Sequence, residues 1–505
     1  MDKAGGTMME EPFRIEDRVS EVWRDGDPIL WWNGEWMTAG MLFDMAEDSK
    51  MVLYGGGFRR GDRLMVLMPN CPALLALSIA CWRLGGTVVP GNPQAGPEAV
   101  LSSIDAVDPC AVVVGAPLEG SFTSLSESPV PVISMSLDAP LNGFRGVDTS
   151  ISEDHIALLF STSGTTGRPK VVPVSHENVL SDMDQALKQV SEISDDEVFL
   201  NVLPNFHTLG FIVSGILPLL FHFRQAILPS FMPVDRTLRA IEASGVTAIV
   251  AVPTMLRFMV AASLRMGMRF SSVRLVISGG DRFSVDLDSR IEKVFGVPVL
   301  EGYGLTECSP ILAVNPSYQT RKLGTVGPIL DGLEWQIRGL DGEVKEDGEE
   351  GVLWVKGPSV VSRYFRNPEV SAEKFVDGWF NTGDVVSIDG DGYVSIMDRA
   401  GDMIIVGGFN VHPQEVEAVL SSYPGVKEAV VVGKENSFSG QIPCGYVILD
   451  PSASVTSAEL ISYCKGHLPH YKVPRKIETV EDFPRNSLGK VLRRVLRDNL
   501  NRGSR

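Results

Sequence analysis

Apolar positions along this chain fall into two rhythms. From Gly61 to about Val299, short runs rich in β-branched residues alternate with longer stretches of helical spacing: Arg63 to Met68, then Ala73 to Leu84, then Thr87 to Pro90. The same rhythm recurs at Val246 to Val252, Thr254 to Leu264, Val273 to Ser278 and Val285 to Phe295. Strand, helix, strand predicts α/β layering with largely parallel sheets, because a parallel pair needs a crossover long enough to hold a helix. After about Lys322 the pattern changes. GLEWQIRGLDGEVKEDGEEGVLWVKG sets short alternating runs between Gly, Asp and Glu turns, which predicts a small antiparallel or barrel-like subdomain with few helices. A further boundary falls near MDRAGDMIIVGG, Met397 to Gly408. Beyond it, strand patterns (Ala429 to Val432, Gly445 to Leu449) mix with helical ones (Pro413 to Ser421, Ser457 to Gly466, Lys490 to Leu500), as in a small α+β domain. The expected fold is therefore α/β: a large N-terminal domain of several subdomains, layered sheets and helices with a β-rich part, followed by a small α+β C-terminal domain.

Composition narrows the class. With 505 residues, 44% hydrophobic and 21% charged, the chain exceeds the size at which a single core stops growing, roughly 250 to 300 residues. Its 45 Lys and Arg against 63 Asp and Glu give a net charge of -18, which argues against nucleic acid as a partner. The longest apolar run, Leu209 to Phe223, is too short to cross a bilayer and reads as a buried helix; no transmembrane segment is expected, while peripheral membrane contact stays open. Met1 to Arg14 lacks the basic and apolar regions of a secretory signal, so a cytoplasmic location is expected. The six cysteines form no CxxC pair and are expected to be reduced and buried. The histidines show no metal-ligand spacing, so a zinc site is not expected.

The strongest local signal is STSGTTGRPK, Ser161 to Lys170, directly after the strand-like run Ile156 to Phe160. Its glycines let the backbone fold tightly so that several N–H groups point at one anion, its hydroxyls add donors, and Lys170 adds a charge. Such a loop suits phosphate oxygens. It is no Walker A loop, since Lys170 is followed by Val171 and the required spacing fails.

The full string resembles the phosphate loop of the adenylate-forming (ANL) superfamily, which includes acyl-CoA synthetases, firefly luciferase and nonribosomal peptide adenylation domains. EGYGLTECSP (Glu301 to Pro310), GWFNTGDVV (Gly378 to Val386), DRAGDMIIVGGFNVHPQEVE (Asp398 to Glu417) and PRNSLGKVLRR (Pro484 to Arg494) follow in that superfamily's order and spacing, so the likeness spans nearly the whole chain. Within the superfamily it is most similar to fatty acyl-CoA and acyl-carrier-protein synthetases.

The resemblance implies roles residue by residue. Thr162, Ser163, Gly164, Thr165, Thr166, Gly167 and Lys170 would hold ATP phosphates. Tyr303, between Gly302 and Gly304, would stack on adenine, and Ser278, Gly279 and Gly280 would let the purine approach the backbone. Glu307 would be the Mg²⁺ ligand, a hard carboxylate suited to a metal bridging the triphosphate. Thr306 would donate to the α-phosphate or the acyl carboxylate, and His207 would sit as a gate between nucleotide and acyl pocket. Asp384 would accept the ribose hydroxyls, with Arg399 reinforcing the contact. Lys490 would stabilise charge developing on the α-phosphate during adenylation. The implied domains are an adenylation domain, 1–398, a hinge, 399–402, and a mobile lid, 403–505. The hinge residue, commonly Lys or Asp, is here Gly401, and Val171 replaces the usual glycine after the phosphate loop. Gly408 would leave room for a pantetheine arm and Lys434 would meet coenzyme A phosphates. Arg493, Arg494 and Arg497 read as a solvated helix face.

The implied reaction is acyl-adenylate formation from ATP with Mg²⁺, followed by transfer to a thiol. His207 stands where amino-acid-activating domains carry an aspartate for the substrate ammonium, so an acid without that charge is expected. The apolar run after it points to a medium- or long-chain fatty acid. Acceptor alternatives are coenzyme A and a phosphopantetheine carrier protein. A nucleotide-binding regulatory protein without turnover, and an oxygenase of the luciferase kind, are the competing readings from other classes.

Overall fold

A computed structural model describes residues 13–118, 130–149, 155–162, 170–339, 342–346, 348–406, 409–436, 439–485 and 491–502. Two compact units follow from the internal packing: residues 1–334 with 355–380, and residues 335–354 with 381–505.

The larger unit is built on two sheets. One is six-stranded, ordered Val132–Met135, Ala111–Gly115, Arg63–Leu67, Thr87–Pro90, Ile156–Thr162 and Lys170–Ser175. All neighbours are parallel except the last pair, which forms an antiparallel hairpin with Thr162 opposite Lys170. The strands Arg63–Leu67, Thr87–Pro90 and Ala111–Gly115 are buried at every position, as continuous apolar runs in a doubly covered parallel sheet must be. The helix Pro72–Arg83 between the first two is buried from Pro72 to Trp82, and Pro72 at its first position suits a turn whose N–H groups have no intrahelical partner.

The second sheet has eight strands in the order Ile311–Val314, Leu300–Gly304, Leu275–Ser278, Ala248–Ala251, Val198–Asn201, Arg224–Ile227, Pro28–Trp32 and Glu35–Thr38. The six central strands run parallel, so their C-terminal ends line one edge. The expected buried helix after Leu209 is a π-helix, Leu209–Ile216, running into the short α-helix Leu217–Leu220. Gly210 is what permits it, since a Cβ there would lie 2.3 Å from the Pro204 carbonyl oxygen.

The smaller unit holds most of a five-stranded sheet and a second sheet ordered Phe409–Val411, Ile404–Val406, Gly440–Leu449 and Val426–Asn436, with Lys476–Thr479 beside Gly440–Leu449. The helices Pro413–Ser421 and Ser457–His467 pack Val416, Leu420, Leu460 and Cys464 into one core with this sheet. The expected helix Lys490 to Leu500 is corrected to Arg493–Arg502. Its predicted start fails because Val491 bridges to Arg485 and the Leu492 N–H donates to the Pro484 carbonyl, so the chain is still paired sideways there. All six cysteines are buried and free. Among the described residues no helix is long and apolar enough to cross a membrane.

Candidate functional site

Open parallel sheets leave a crevice at the carboxyl ends of their strands, where helices and loops part. Several expected site residues of the larger unit lie there. Ser278, Gly279 and Gly280 end the strand Leu275–Ser278, Gly302, Tyr303 and Gly304 end Leu300–Gly304, and His207 follows Val198–Asn201. A Cβ at Gly279 would lie 3.2 Å from the Gly302 carbonyl oxygen, so the two glycine-bearing ends touch backbone to backbone. Gly280, at φ +80, faces Val252 and Leu209, the first residue of the π-helix. The Ser278 hydroxyl is buried without a hydrogen-bond partner among the described residues, a polar group left open at the floor of this edge. A side chain at Gly304 is excluded outright: its Cβ would lie 2.0 Å from the Pro310 carbonyl oxygen.

After Gly304 the chain makes a short 3-10 turn, Thr306–Cys308. The Leu305 N–H donates to the Pro310 carbonyl, and the Val361 N–H donates to the Glu307 carbonyl, so the backbone carrying Glu307 is held from both sides. The Tyr364 hydroxyl donates to Glu307 Oε1 at 2.8 Å, and Lys170 Nζ stands 5.2 Å from the centre of the Tyr364 ring. Burial, with the Glu307 carboxylate beside it, holds the Tyr364 hydroxyl well above the usual phenol range and keeps it a donor. Lys170, Tyr364 and Glu307 thus form one constellation. Tyr364 is absent from the sequence reading: RYFRNPE carries neither periodicity nor a ligand spacing that would single it out.

A helix behind the turn carries the second unforeseen contribution. Asp182, on His176–Gln189, is fully buried and accepts the Ile311 N–H at 3.0 Å. Burial pushes its carboxyl well above the usual carboxylate range, and the Ile311 N–H offsets part of that rise. From the same helix the Gln189 amide donates to the Val314 and Pro328 carbonyls at 3.0 and 2.9 Å, and Asn178 to the Pro358 carbonyl at 2.6 Å. The helix therefore fixes the strand Ile311–Val314 that follows Glu307, at both of its ends, and the segments at Pro328 and Pro358.

His207 packs against Phe206 with ring centres 4.5 Å apart, and burial lowers its pKa to about 4, so it is neutral at physiological pH. Its loop hangs on a buried amide network. Asn70 accepts the Asn205 N–H at 2.9 Å and donates to Asn201 at 3.1 Å, Asn201 donates to Gln225 at 2.8 Å, and Gln225 donates to the Gly215 carbonyl at 3.0 Å. Satisfied buried networks of this kind specify one geometry.

In the smaller unit, Asp384 and Arg399 sit directly opposite on paired antiparallel strands, with Arg399 Nε 2.8 Å from Asp384 Oδ1. The carboxylate side chain is 3% exposed and the arginine 51%, so the acid is fixed while the arginine reaches outward. Gly383, at φ +74, makes the turn, its N–H donating to Asn381 Oδ1 at 2.9 Å. Thr382 donates to the Leu353 carbonyl at 2.7 Å and accepts the Asp384 N–H at 3.1 Å. Two residues past Arg399, a Cβ on Gly401 would meet nothing within 4 Å. The expected solvated arginine face is corrected in two places. Arg493 grips Glu417, with Nη2 2.7 Å from Oε2, and donates to the Val431 carbonyl at 3.0 Å; Arg497 pairs with Asp402 and donates to the Gly401 carbonyl at 3.1 Å. Lys434 stands on the strand Val426–Asn436 opposite Ile442.

Ser163, Gly164, Thr165, Thr166, Gly167, Gly408 and Lys490 lie outside the described residues, as does the side chain of Thr162. A nucleotide fits the described residues: glycine-bared strand ends, a buried hydroxyl, and a lysine and a carboxylate that both meet Tyr364. For a divalent ion, no cluster of three or more His, Cys, Asp or Glu side chains stands among the described residues. Glu307 would therefore hold Mg²⁺ together with phosphate oxygens, the usual arrangement for this cation, which supplies charge neutralisation when bound.

Comparison with known proteins agrees with this geometry. The profile of the AMP-binding enzyme family matches residues 17–365, and that of the AMP-binding enzyme C-terminal domain matches 415–490. A feruloyl-CoA synthase from an Amycolatopsis species is 33% identical over 456 residues, 88% of this chain and 90% of that protein. A long-chain-fatty-acid–CoA ligase of Yersinia pestis is 29% identical, covering 92% of this chain and 90% of that one. The crystal structure of ATP-bound MatB from Rhodopseudomonas palustris superposes with a TM-score of 0.85 at 28% identity, over 96% of this chain and 98% of that one. Together with the strand-end glycines and the Glu307 turn, these matches make the chain a member of the AMP-binding enzyme family, within the adenylate-forming superfamily that its motifs resemble.

Proposed function

We propose that this protein is an ATP-dependent acid:thiol ligase that joins a carboxylic acid to AMP with release of pyrophosphate and then passes the acyl group to coenzyme A. The observation that carries the reading is the Lys170–Tyr364–Glu307 constellation at the carboxyl edge of the eight-stranded sheet, in a chain whose relatives include CoA ligases. Lys170 and the hydroxyl-rich loop before it bind the β- and γ-phosphates. Glu307, oriented by Tyr364, carries the Mg²⁺. Asp384 and Arg399 hold the ribose, and Lys490 supplies the cationic charge that stabilises the α-phosphate in the transition state more than in the ground state. Gly401 is the pivot between the two half-reactions, Gly408 admits the pantetheine arm, and Lys434 meets the phosphates of coenzyme A.

The acid is a medium- or long-chain fatty acid. His207, neutral and half-buried, offers no charge to an α-substituent, and the buried π-helix beyond it gives an apolar wall. A second reading, an aryl-substituted acid, is favoured by the 33% identity to feruloyl-CoA synthase. The test is mass spectrometry of products from purified protein with ATP, Mg²⁺ and two acid series, saturated fatty acids and cinnamic acids, with and without coenzyme A. Fatty acyl-CoA plus AMP is the expected product. Cinnamoyl-CoA alone selects the second reading, acyl-adenylate that never reaches coenzyme A points to a carrier-protein thiol, and absence of AMP with every acid overturns the ligase.

A further inference from the structure

At the opposite margin of the eight-stranded sheet lies a separate cavity of about 280 Å³. It opens at the carboxyl ends of Arg224–Ile227 and Pro28–Trp32, which are parallel neighbours. The type of turn shapes its rim. Asn33 and Gly34, both at positive φ, close a two-residue hairpin between Trp32 and Glu35 and keep that corner tight. Across from it runs the helix Val234–Ser244. This helix gives the cavity Arg236, Arg239, Ala240 and Ala243, spaced i, i+3, i+4 and i+7, which is one helical stripe. The alanines leave the space and the arginines border it. Trp31, Leu228 and Pro229 supply an apolar floor.

Arg236 and Arg239 have no ion pair or hydrogen-bonded partner for either guanidinium among the described residues, although the chain carries 63 carboxylates against 45 cations. Asp235, the neighbouring acid on the helix, is taken by Arg265. Two adjacent forks with no internal acceptor match a head of charge near minus two, since each can give two parallel hydrogen bonds to a phosphate or to a carboxylate. The floor suits a flat or short apolar body, and the volume suits a molecule of modest size, at the lower end of small-ligand pockets. We infer that this cavity is a second binding site, several strands along the sheet from the Glu307 turn, for a small organic dianion whose head lies between Arg236 and Arg239 and whose body rests on Trp31.

Trp31 makes the site observable. The protein has eight tryptophans, so the fluorescence response to ligand is assigned by its loss in Trp31→Phe. The probes are phenyl phosphate, isophthalate and inorganic phosphate. The expected result is saturable quenching by phenyl phosphate, isophthalate or both, with Kd on the order of 1 mM or lower, and binding of inorganic phosphate at least about tenfold weaker because it lacks the body. Which organic probe binds distinguishes a phosphomonoester from a dicarboxylate head. R236Q/R239Q should weaken that binding about tenfold or more, and Ala243→Leu, which fills the cavity from an exposed position, should abolish it. Both changes are on the helix surface, and an unaltered Tm verifies that the fold persists. No response to either organic probe, or a response that survives R236Q/R239Q, overturns the inference.

Discussion

The turn that carries Glu307 and the stretch that carries Arg399 and Gly401 are built in opposite ways. Around Glu307 the backbone is locked by close packing: Gly304 against the Pro310 carbonyl, where a Cβ has no room, Gly279 against the Gly302 carbonyl, where a Cβ would be tight, and a helix whose side chains donate to the Val314, Pro328 and Pro358 carbonyls. Around Gly401 the backbone has open space, and what holds it is charge: Arg399 on Asp384, Arg497 on Asp402 and on the Gly401 carbonyl. Steric locks fix a geometry once. The Asp384 carboxylate is buried but the arginine on it reaches outward, and the Arg497–Asp402 pair is partly exposed on both sides; a partly exposed pair contributes on the order of 0 to 1 kcal/mol and exchanges readily for others. The first arrangement suits a group that must never move, and the second a segment that pivots.

The sharpest way to break this contrast is to put the same methyl group into both places. Gly304→Ala should lower adenylation by about 100-fold or more, or prevent folding, because the Cβ has only carbonyl backbone to displace. Gly401→Ala should leave Tm and adenylation within error. Pyrophosphate exchange and thermal melts check both, and a tolerant Gly304 would mean the turn is not locked.

Gly401→Pro should then separate the half-reactions. Fixing φ should reduce overall acyl-CoA turnover about tenfold or more while adenylation falls far less. Equal loss in both assays would remove the pivot from residue 401.

The charge-held region also contains a buried acid. Burial raises Asp398 from 3.8 to about 6, partly offset by the Arg399 N–H and by Arg493. Its folded form binds a proton more tightly than the unfolded chain, so its contribution to stability is full below about pH 4 and is lost as pH rises through 6. Asp398→Asn should flatten that decline and leave the protein more stable than wild type at pH 7, by up to about 2 kcal/mol. Denaturant melts between pH 5 and 8 would show an unchanged slope if the acid is already ionised in the fold.

The smallest effect is expected at Tyr364→Phe. Losing one hydrogen bond to a carboxylate should cost about 1 to 2 kcal/mol, seen as a several-fold rise in the Mg²⁺ concentration needed for half-maximal adenylation. An unaltered Mg²⁺ dependence would detach Tyr364 from the Glu307 site.

The strands and helices of both sheets were legible because burial on two faces leaves continuous apolar runs, and Thr87–Pro90, Val285–Phe295 and Pro413–Ser421 match the expected limits residue for residue. What escaped were contacts between positions far apart in the chain. Asp182 looks like any polar residue on an amphipathic helix until the strand Ile311–Val314 is packed on it, and Arg493 and Arg497 look solvated until Glu417 and Asp402 fold against them. Tyr364 lies 57 residues from the glutamate it orients. Periodicity reports which face is buried; it carries no information about which buried polar groups meet.

The most direct measurement is acid-dependent exchange of radiolabelled pyrophosphate into ATP, without coenzyme A, by the wild type and by Glu307→Gln. Exchange that requires a carboxylic acid and falls by about 100-fold or more in the variant is the predicted result. Exchange that proceeds equally in Glu307→Gln, or no exchange with any acid, would contradict an acyl-adenylate formed at this site.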